Sequence, residues 1–504
     1  MLNFHSTLTR KDFLKGIGLA GAGLGAASAV TPMFHDLDEL VASTPSTRNL
    51  PWFVKEREHG DPTTPIDWSM IQRRPYTWAR MDPSLPVYDN LKAIGAPVTR
   101  WLDWADKKAE DEILFAKARE EFPGFEPGID GFGDLRTTAL THASEMFAFG
   151  QFPQKMNLGG NMVDLVPAIR AAGGYLGSTD SYAGPKIVHT PEEMGGTKYQ
   201  GTPEDNLRTL KAGIRYFGGE DVGALELDDN LKKLIFTVDQ YGKTLEFGDV
   251  EECVETPRQV IIPNKCKYIF LWTMRQPYEW TRRQSGRFEG AATETSYERA
   301  YNTKAHFQDF ARGLGYQMIS AGNNSLSPAG AWAVLGGLGE LSRASYVNHP
   351  LYGITVRVTW GFLTDMPLPP SRPIDFGARK FCETCGICAE ACPFGAINPG
   401  EPTWKDDNAF GNAGFLGWRC DYTKCPHCPI CQGTCPFNSH PGSFIHDIVK
   451  GTVSTTPVFN SFFKNMEKSF KYGRKNLLLG GMKWMTILTG SIPVTKNNFG
   501  IGDK

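Results

Sequence analysis

FCETCGICAEACPF at residues 381–394 and CPHCPICQGTCPF at residues 425–437 are the two stretches on which the rest of the chain depends. The first reads Cys382-x2-Cys385-x2-Cys388-x3-Cys392-Pro393, and the second Cys425-x2-Cys428-x2-Cys431-x3-Cys435-Pro436. Gaps of two residues fan three thiols round one side of a short loop, and each Pro ends its run before the chain crosses over. Zinc sites usually use two short cysteine pairs, not two four-cysteine runs. Eight of the eleven cysteines fall in the runs, so thiols here serve metal rather than crosslinks.

The spacing is similar to that of bacterial ferredoxins with two [4Fe–4S] clusters. In such folds three cysteines of one run and the fourth of the other hold each cluster. The resemblance implies Cys382, Cys385, Cys388 and Cys435 for one cluster, and Cys425, Cys428, Cys431 and Cys392 for the other. Cys420, five residues before Cys425, falls outside the repeat and reads as a buried thiol that is not a ligand. Cys253 and Cys266 are isolated and read as core.

Upstream of the runs, helices and strands alternate. Thr202-Pro203-Glu204-Asp205 starts a helix, with Thr as N-cap, Pro at the first position and acids in the first turn. Leu207, Leu210, Ile214 and Phe217 follow at helical spacing, and Gly218-Gly219 stops it. Val222 to Leu227, Tyr268 to Trp272, Tyr316 to Ser320 and Ile354 to Leu363 have strand character. Phe288 to Leu314 reads as a long helix and Pro328 to Leu341 as a small-residue helix. This alternation predicts one α/β core. The expected parts are an export segment (1–29), an N-terminal region packed on the core (30–200), the core (201–370), the two-cluster insert (371–445) and a C-terminal packing segment (446–504). Within them, Lys107 to Phe122 reads as an exposed, charged helix, 124–133 as a turn-rich loop and Phe459 to Tyr472 as an amphipathic packing helix.

A chain of 504 residues is long enough for two or three domains. Its net charge of −2 argues against a nucleic-acid partner, whose footprint is strongly basic. The twelve Trp and thirty-one Phe suit a large apolar pocket or a large core equally well. Thr9-Arg10-Lys11-Asp12-Phe13-Leu14-Lys15 resembles a twin-arginine export signal, with Lys11 where the second Arg belongs. Ala27-Ser28-Ala29 offers a cleavage site. No other stretch has eighteen uncharged apolar residues, so no membrane-spanning helix is expected in the mature chain. Leu477 to Val494 comes nearest and is interrupted by Lys483 and Pro493.

Gly201 to Leu207, Ser320-Ala321-Gly322-Asn323, Gly336 to Leu341, Leu363 to Leu368 and Pro373 to Gly377 run into the first cysteine run. With the N-terminal segment, they make the chain resemble the catalytic subunit of respiratory reductive dehalogenases over nearly its whole length. The resemblance implies an α/β (α+β) fold: a nitroreductase-like corrinoid-binding core with a ferredoxin-like two-cluster insert. It implies base-off cobalamin and replacement of halogen by hydrogen on an organohalide, a chlorinated ethene or a haloaromatic, in anaerobic respiration. It also implies a small integral-membrane anchor protein and a membrane-linked electron donor, on the outer face of the cytoplasmic membrane. The chain lacks D-x-H-x-x-G, the signature of a His under cobalt, in agreement with base-off binding. His306 and His349 read as structural.

By motif position the resemblance implies Tyr297 as proton donor, with Asn323 and Arg357 beside it. Thr293 lies one turn before Tyr297 on the same helix face and is the implied cofactor contact. The chemistry is sound on its own terms. A tyrosine is neutral near pH 7, because the phenol's reference pKa is about 10. A nearby Arg would stabilise the tyrosinate left behind. Asn324 stands as an alternative to Asn323, and Tyr301 to Tyr297. Each residue also has a plain reading: a packing aromatic, a strand residue, a turn residue. Two other classes compete. Epoxyqueuosine reductase shares core and clusters, but the export signal and balanced charge weigh against a cytoplasmic tRNA enzyme. A non-catalytic electron-transfer subunit would not need so large a core.

Overall fold

The computed structural model describes residues 50–76, 112–113, 116–117, 119–120, 155–158, 161–164 and 181–470, less 187, 194, 240–241, 283–286, 324, 406–412, 422–423, 426–427 and 440–443. The export segment, the loop at 124–133, the apolar stretch at 477–494 and Asn324 lie outside the described residues. The described positions between 112 and 120 are helical.

Four strands make the central sheet: β1 (Val222–Glu226), β2 (Tyr268–Arg275), β3 (Met318–Ile319) and β4 (Val356–Thr364), in the order β1-β2-β4-β3. Every pair is antiparallel, so the core is of the α+β kind rather than a parallel, doubly wound sheet. Residues of β2 beyond Tyr268 are all buried. They divide between two cores with the period of two that a strand imposes. Ile269 and Leu271 join Trp332, Val334 and Leu335, whereas Phe270, Trp272 and Met274 join Leu207, Leu210, Ile214 and Phe307. Helices α1 (Pro203–Tyr216) and α2 (Arg287–Gly313) cover the second face, and α3 (Ala329–Leu335) covers the first.

Helix α1 begins as its sequence requires. Thr202 Oγ1 accepts from the Asp205 N–H at 3.1 Å, and Glu204 and Asp205 meet the positive end of the helix. Helix α3 differs from expectation. It stops at Leu335, because Gly336 caps it and Gly337 turns at φ +76°. Glu340–Leu341, expected to be helical, instead pairs antiparallel with Val347–Asn348. The close crossing expected of the small residues is present: a Cβ on Gly223 would lie 2.5 Å from the Gly336 carbonyl oxygen. A further sheet of Thr244–Gly248, Gln259–Pro263 and Val254–Glu255 was not expected. Its strands are short and broken by Gly248 and Pro257. Cys253 and Cys266 are buried beside it, as expected of core thiols.

The cysteine runs follow the core. Helices α4 (Ala378–Cys385) and α5 (Ile387–Ala391) carry the first run and α6 (Ile430–Gly433) part of the second. Helices α7 (Phe444–Thr455) and α8 (Asn460–Phe470) then pack on α4. Gly377, at φ +77°, admits no side chain, since a Cβ there would sit 2.5 Å from the Val453 carbonyl oxygen on α7. Residues 50–76 pack onto this body. Lys55–Glu56 pairs antiparallel with Ile374–Asp375, and Ile66 bridges to Phe415.

Candidate functional site

Cys382 and Cys385 lie on α4. Gly386, at φ +66°, ends that helix and opens α5, which carries Cys388. Helix α5 packs on α6, which brings up Cys431 and then Cys435. Cys382, Cys385, Cys388 and Cys435 line one cavity with Arg343 and Phe381. The structure thus brings together three thiols of the first run and the last of the second. Burial pushes the Cys382 thiol up to about 11 and Cys385 up to about 12. Burial and then neighbouring thiols hold Cys388 and Cys435 well above the ordinary thiol range. Four desolvated thiols cannot ionise together without an added cation, and the thiolate is the ligand form. The pocket therefore fits an iron–sulfur core.

The second set is alongside. Cys431 is held high by burial and then by Cys428, Cys388, Cys425 and Cys392, so both sets are neighbours. Cys392 Sγ accepts from the Ala396 N–H at 3.3 Å. Cys420 is buried, and its backbone N–H donates to Ser345 Oγ at 3.0 Å. A hydrogen bond with the Cys425 thiol, followed by burial, raises the Cys420 thiol. The fifth thiol stands at the second set rather than away from it.

Arg357 is the junction of the other candidate residues. It lies on β4 opposite Met274 and is 9 % exposed. Its Nη2 donates to Thr293 Oγ1 on α2 at 2.8 Å and to Gln432 Oε1 on α6 at 3.4 Å. Its guanidinium carbon lies 5.2 Å from the centre of the Tyr297 ring, within cation–π range. Tyr297 is half-buried, whereas Tyr301 is 1 % exposed and belongs to the core. Asn323 is half-buried in the turn after β3. Gly322, at φ +125°, precedes it and abuts Tyr301: a Cβ there would meet the ring at 2.6 Å. Ser320 Oγ, in the same segment, is buried with no hydrogen-bond partner among the described residues. Unspent hydrogen-bonding capacity there fits a large polar cofactor such as a corrinoid.

Both histidines of the core are engaged structurally. The Leu351 N–H donates to His349 Nδ1 at 3.1 Å, and Nε2 faces Asp221 at 3.3 Å. His306 stacks on Phe217.

Gln432 was not singled out from sequence. It is fully buried, and its amide donates to the Ile354 carbonyl at 2.7 Å and to Gln276 Oε1 at 3.1 Å. It sits between two ligands, and a cysteine spacing says nothing about the residues it skips. The one available signal is a long polar side chain in the otherwise small run Cys431-Gln432-Gly433-Thr434-Cys435. Glu340 was missed too. Its carboxylate accepts from the N–H groups of Phe376, Ala378 and Arg379 at the start of α4, at 3.0, 2.9 and 3.3 Å. Burial, then Asp375, pushes it up to about 7.

Fold and site together define an iron–sulfur oxidoreductase with paired cluster sites beside an α+β core. A family described as reductive dehalogenase subunit matches residues 241–368, and one described as 4Fe-4S dicluster domain matches residues 381–439. The chain is 34% identical to chloroethene reductive dehalogenase of Dehalococcoides mccartyi (strain VS), covering 96% of this chain and 97% of that protein. It is 33% identical to trichloroethene reductive dehalogenase of Dehalococcoides mccartyi (strain ATCC BAA-2266 / KCTC 15142 / 195), covering 93% and 95%. Among solved structures, the catabolic reductive dehalogenase NpRdhA matches with a TM-score of 0.51 at 19% identity, which bears on the fold alone. That match covers 88% of this chain and 52% of NpRdhA, so the chain spans about half of that protein's length. The chain belongs to the reductive dehalogenase family. It is an oxidoreductase with two [4Fe–4S] clusters, acting on organohalides.

Proposed function

We propose that the protein replaces chlorine by hydrogen on a chlorinated ethene, with Tyr297 as the proton donor. The relatives named for chloroethene and trichloroethene support the substrate class. The placement of Arg357 between Thr293, Tyr297 and Gln432 carries the assignment of roles. The overall change consumes two electrons and one proton: a carbon–chlorine bond breaks, a carbon–hydrogen bond forms and chloride leaves. A corrinoid, when bound, would supply the strong reductant that this bond demands. The eight cysteines of the two runs hold the clusters through which electrons enter. The Tyr297 hydroxyl gives its proton to the carbon centre, and general acids of this kind typically contribute about 10² to 10⁴ in rate. The Arg357 cation stabilises the resulting tyrosinate. Thr293 anchors Arg357 and would help hold a bound corrinoid. Asn323 orients the substrate or a water beside the phenol.

The same proposal places the mature protein, beginning near Val30, on the outer face of the cytoplasmic membrane in an anaerobe. Thr9 to Lys15 and Ala27-Ser28-Ala29 support export. Among the described residues no helix is long and apolar enough to cross a membrane. In this proposal a small integral-membrane partner supplies the anchor. An anaerobic screen of the reconstituted protein against halogenated ethenes and halogenated phenols tests the substrate class. Chloride release from ethenes is the expected result, and release from phenols alone would refute it. N-terminal sequencing of the mature protein tests export: a start near Val30 is expected, and an intact Met1 on active cytosolic protein would refute it.

A further inference from the structure

We infer that Arg343 is the buried counter-charge of the cluster held by Cys382, Cys385, Cys388 and Cys435, and makes it the more easily reduced of the two. Arg343 is 4 % exposed and lines the cavity that those four thiols share. Its Nε and Nη2 both donate to the Cys382 carbonyl, at 3.2 and 3.0 Å. Its Nη1 donates to the carbonyls of Asn398 and Gly400, at 2.9 and 2.8 Å. The Trp418 ring lies under the guanidinium at 4.5 Å. These partners satisfy the N–H groups, yet all are neutral. No carboxylate forms an ion pair with Arg343 among the described residues.

A buried cation without a counter-ion costs several kcal/mol. Here the opposing charge is the cluster itself. Four thiolates round a [4Fe–4S] core leave a net negative charge, and reduction adds one more. A fixed cation at the cavity wall favours the reduced form, since charge and hydrogen bonding set cluster potentials. On the second set's side the buried Arg357 donates to Thr293 Oγ1 and to the side chain of Gln432, beside Cys431, so its charge is held one residue away from a ligand. Lys424, beside Cys425, pairs with Asp421 at 3.1 Å, and its side chain is 59% exposed. That pair is neutral overall and screened by water.

The test rests on the cluster assignment above and uses EPR-monitored redox titration of the reconstituted full chain. Wild type should show two reductions at different potentials. Cys428→Ser should disturb only the lower one, which belongs to the second set. Arg343→Gln should shift the upper reduction equilibrium at least tenfold towards the oxidised form, about 59 mV for one electron, and leave the lower one alone. Arg343→Lys keeps the charge but loses the planar fork, and should stay near wild type. An unchanged upper potential in Arg343→Gln would overturn the inference. So would an equal fall in both variants, which would assign the effect to the carbonyl contacts. So would a Cys428→Ser protein whose undisturbed cluster is the lower one. If Arg343→Gln fails to hold iron, the lysine variant and Cys428→Ser still decide. Iron analysis separates the two failures: wild type well short of about eight iron contradicts the cluster assignment, not the role of Arg343.

Discussion

Arg357 Nη2 donates to Thr293 Oγ1 at 2.8 Å, tying β4 to α2 one helical turn before Tyr297. Thr293→Val keeps the shape and removes the acceptor. A hydrogen bond to a charged group is worth about 1.5–3 kcal/mol, so kcat/KM should fall roughly ten- to a hundredfold. Iron content should not change, and Thr293→Ser should restore most of the rate. Steady-state kinetics on the loaded protein checks this. An unaltered rate in the valine variant would mean that Arg357 is held without Thr293.

Gln432 joins α6, among the second-set ligands, to Arg357 and to Gln276 on the segment after β2. Gln432→Leu leaves the buried Gln276 amide and the Ile354 carbonyl each short of a partner. Each orphaned group costs about 1–3 kcal/mol. The variant should unfold at lower denaturant concentration and also lose turnover. Gln432→Glu loses the same donor but should also pair with Arg357 and weaken its hold on a tyrosinate, so its kcat should fall below that of Gln432→Leu. Equal activity in the glutamate variant and wild type would remove Gln432 from the positioning of Arg357.

Metal analysis separates ligands from the spare thiol. Reconstituted wild type should hold about eight iron and eight sulfide. Cys385→Ser should damage one cluster, and Cys420→Ser should leave both. Cys420 is hydrogen-bonded to Cys425, so the serine variant is a sharp test. Loss of a cluster there would make Cys420 a ligand.

Glu340 should make stability depend on pH. Its folded pKa is raised to about 7 from 4.5, chiefly by burial. Between those values the unfolded chain has released the proton and the folded chain keeps it. Stability should therefore fall as pH rises through that window, by roughly 3 kcal/mol at most, and level off above it. Anaerobic denaturation from pH 5.5 to 7.5 would show the slope in wild type. Glu340→Gln should flatten it, and a slope that survives would place the titrating group elsewhere.

Much of this arrangement is written locally in the chain. The cysteine spacing marks eight metal-binding thiols, whose division into two sets came from the resemblance to ferredoxins, and Thr202-Pro203-Glu204-Asp205 states a helix start, because caps and short loops act over a few residues. Tyr268 to Trp272 was legible as a strand because it is buried on both faces. The remainder depends on long-range partners. Helix α3 was read too long because small residues favour a helix until two glycines end it. The strands at Thr244–Gly248 and Gln259–Pro263 pair across a break that no periodicity bridges. Gln432, Arg343 and Glu340 are polar residues whose partners lie 36 or more residues away along the chain. Tyr297, Asn323 and Arg357 came by motif position. Their distances to one another were not legible; the Arg357 guanidinium lies 5.2 Å from the centre of the Tyr297 ring.

The most direct test of the chemistry is turnover of Tyr297→Phe protein loaded with corrinoid and about eight iron. The substitution keeps the ring beside Arg357 and removes the hydroxyl that carries the acidic hydrogen. Chlorinated-ethene turnover should fall by about 10² to 10⁴, with cofactor content and cluster EPR signals like wild type. Near-normal turnover in the fully loaded variant would contradict Tyr297 as the donor and leave a water held by Asn323 to supply the proton.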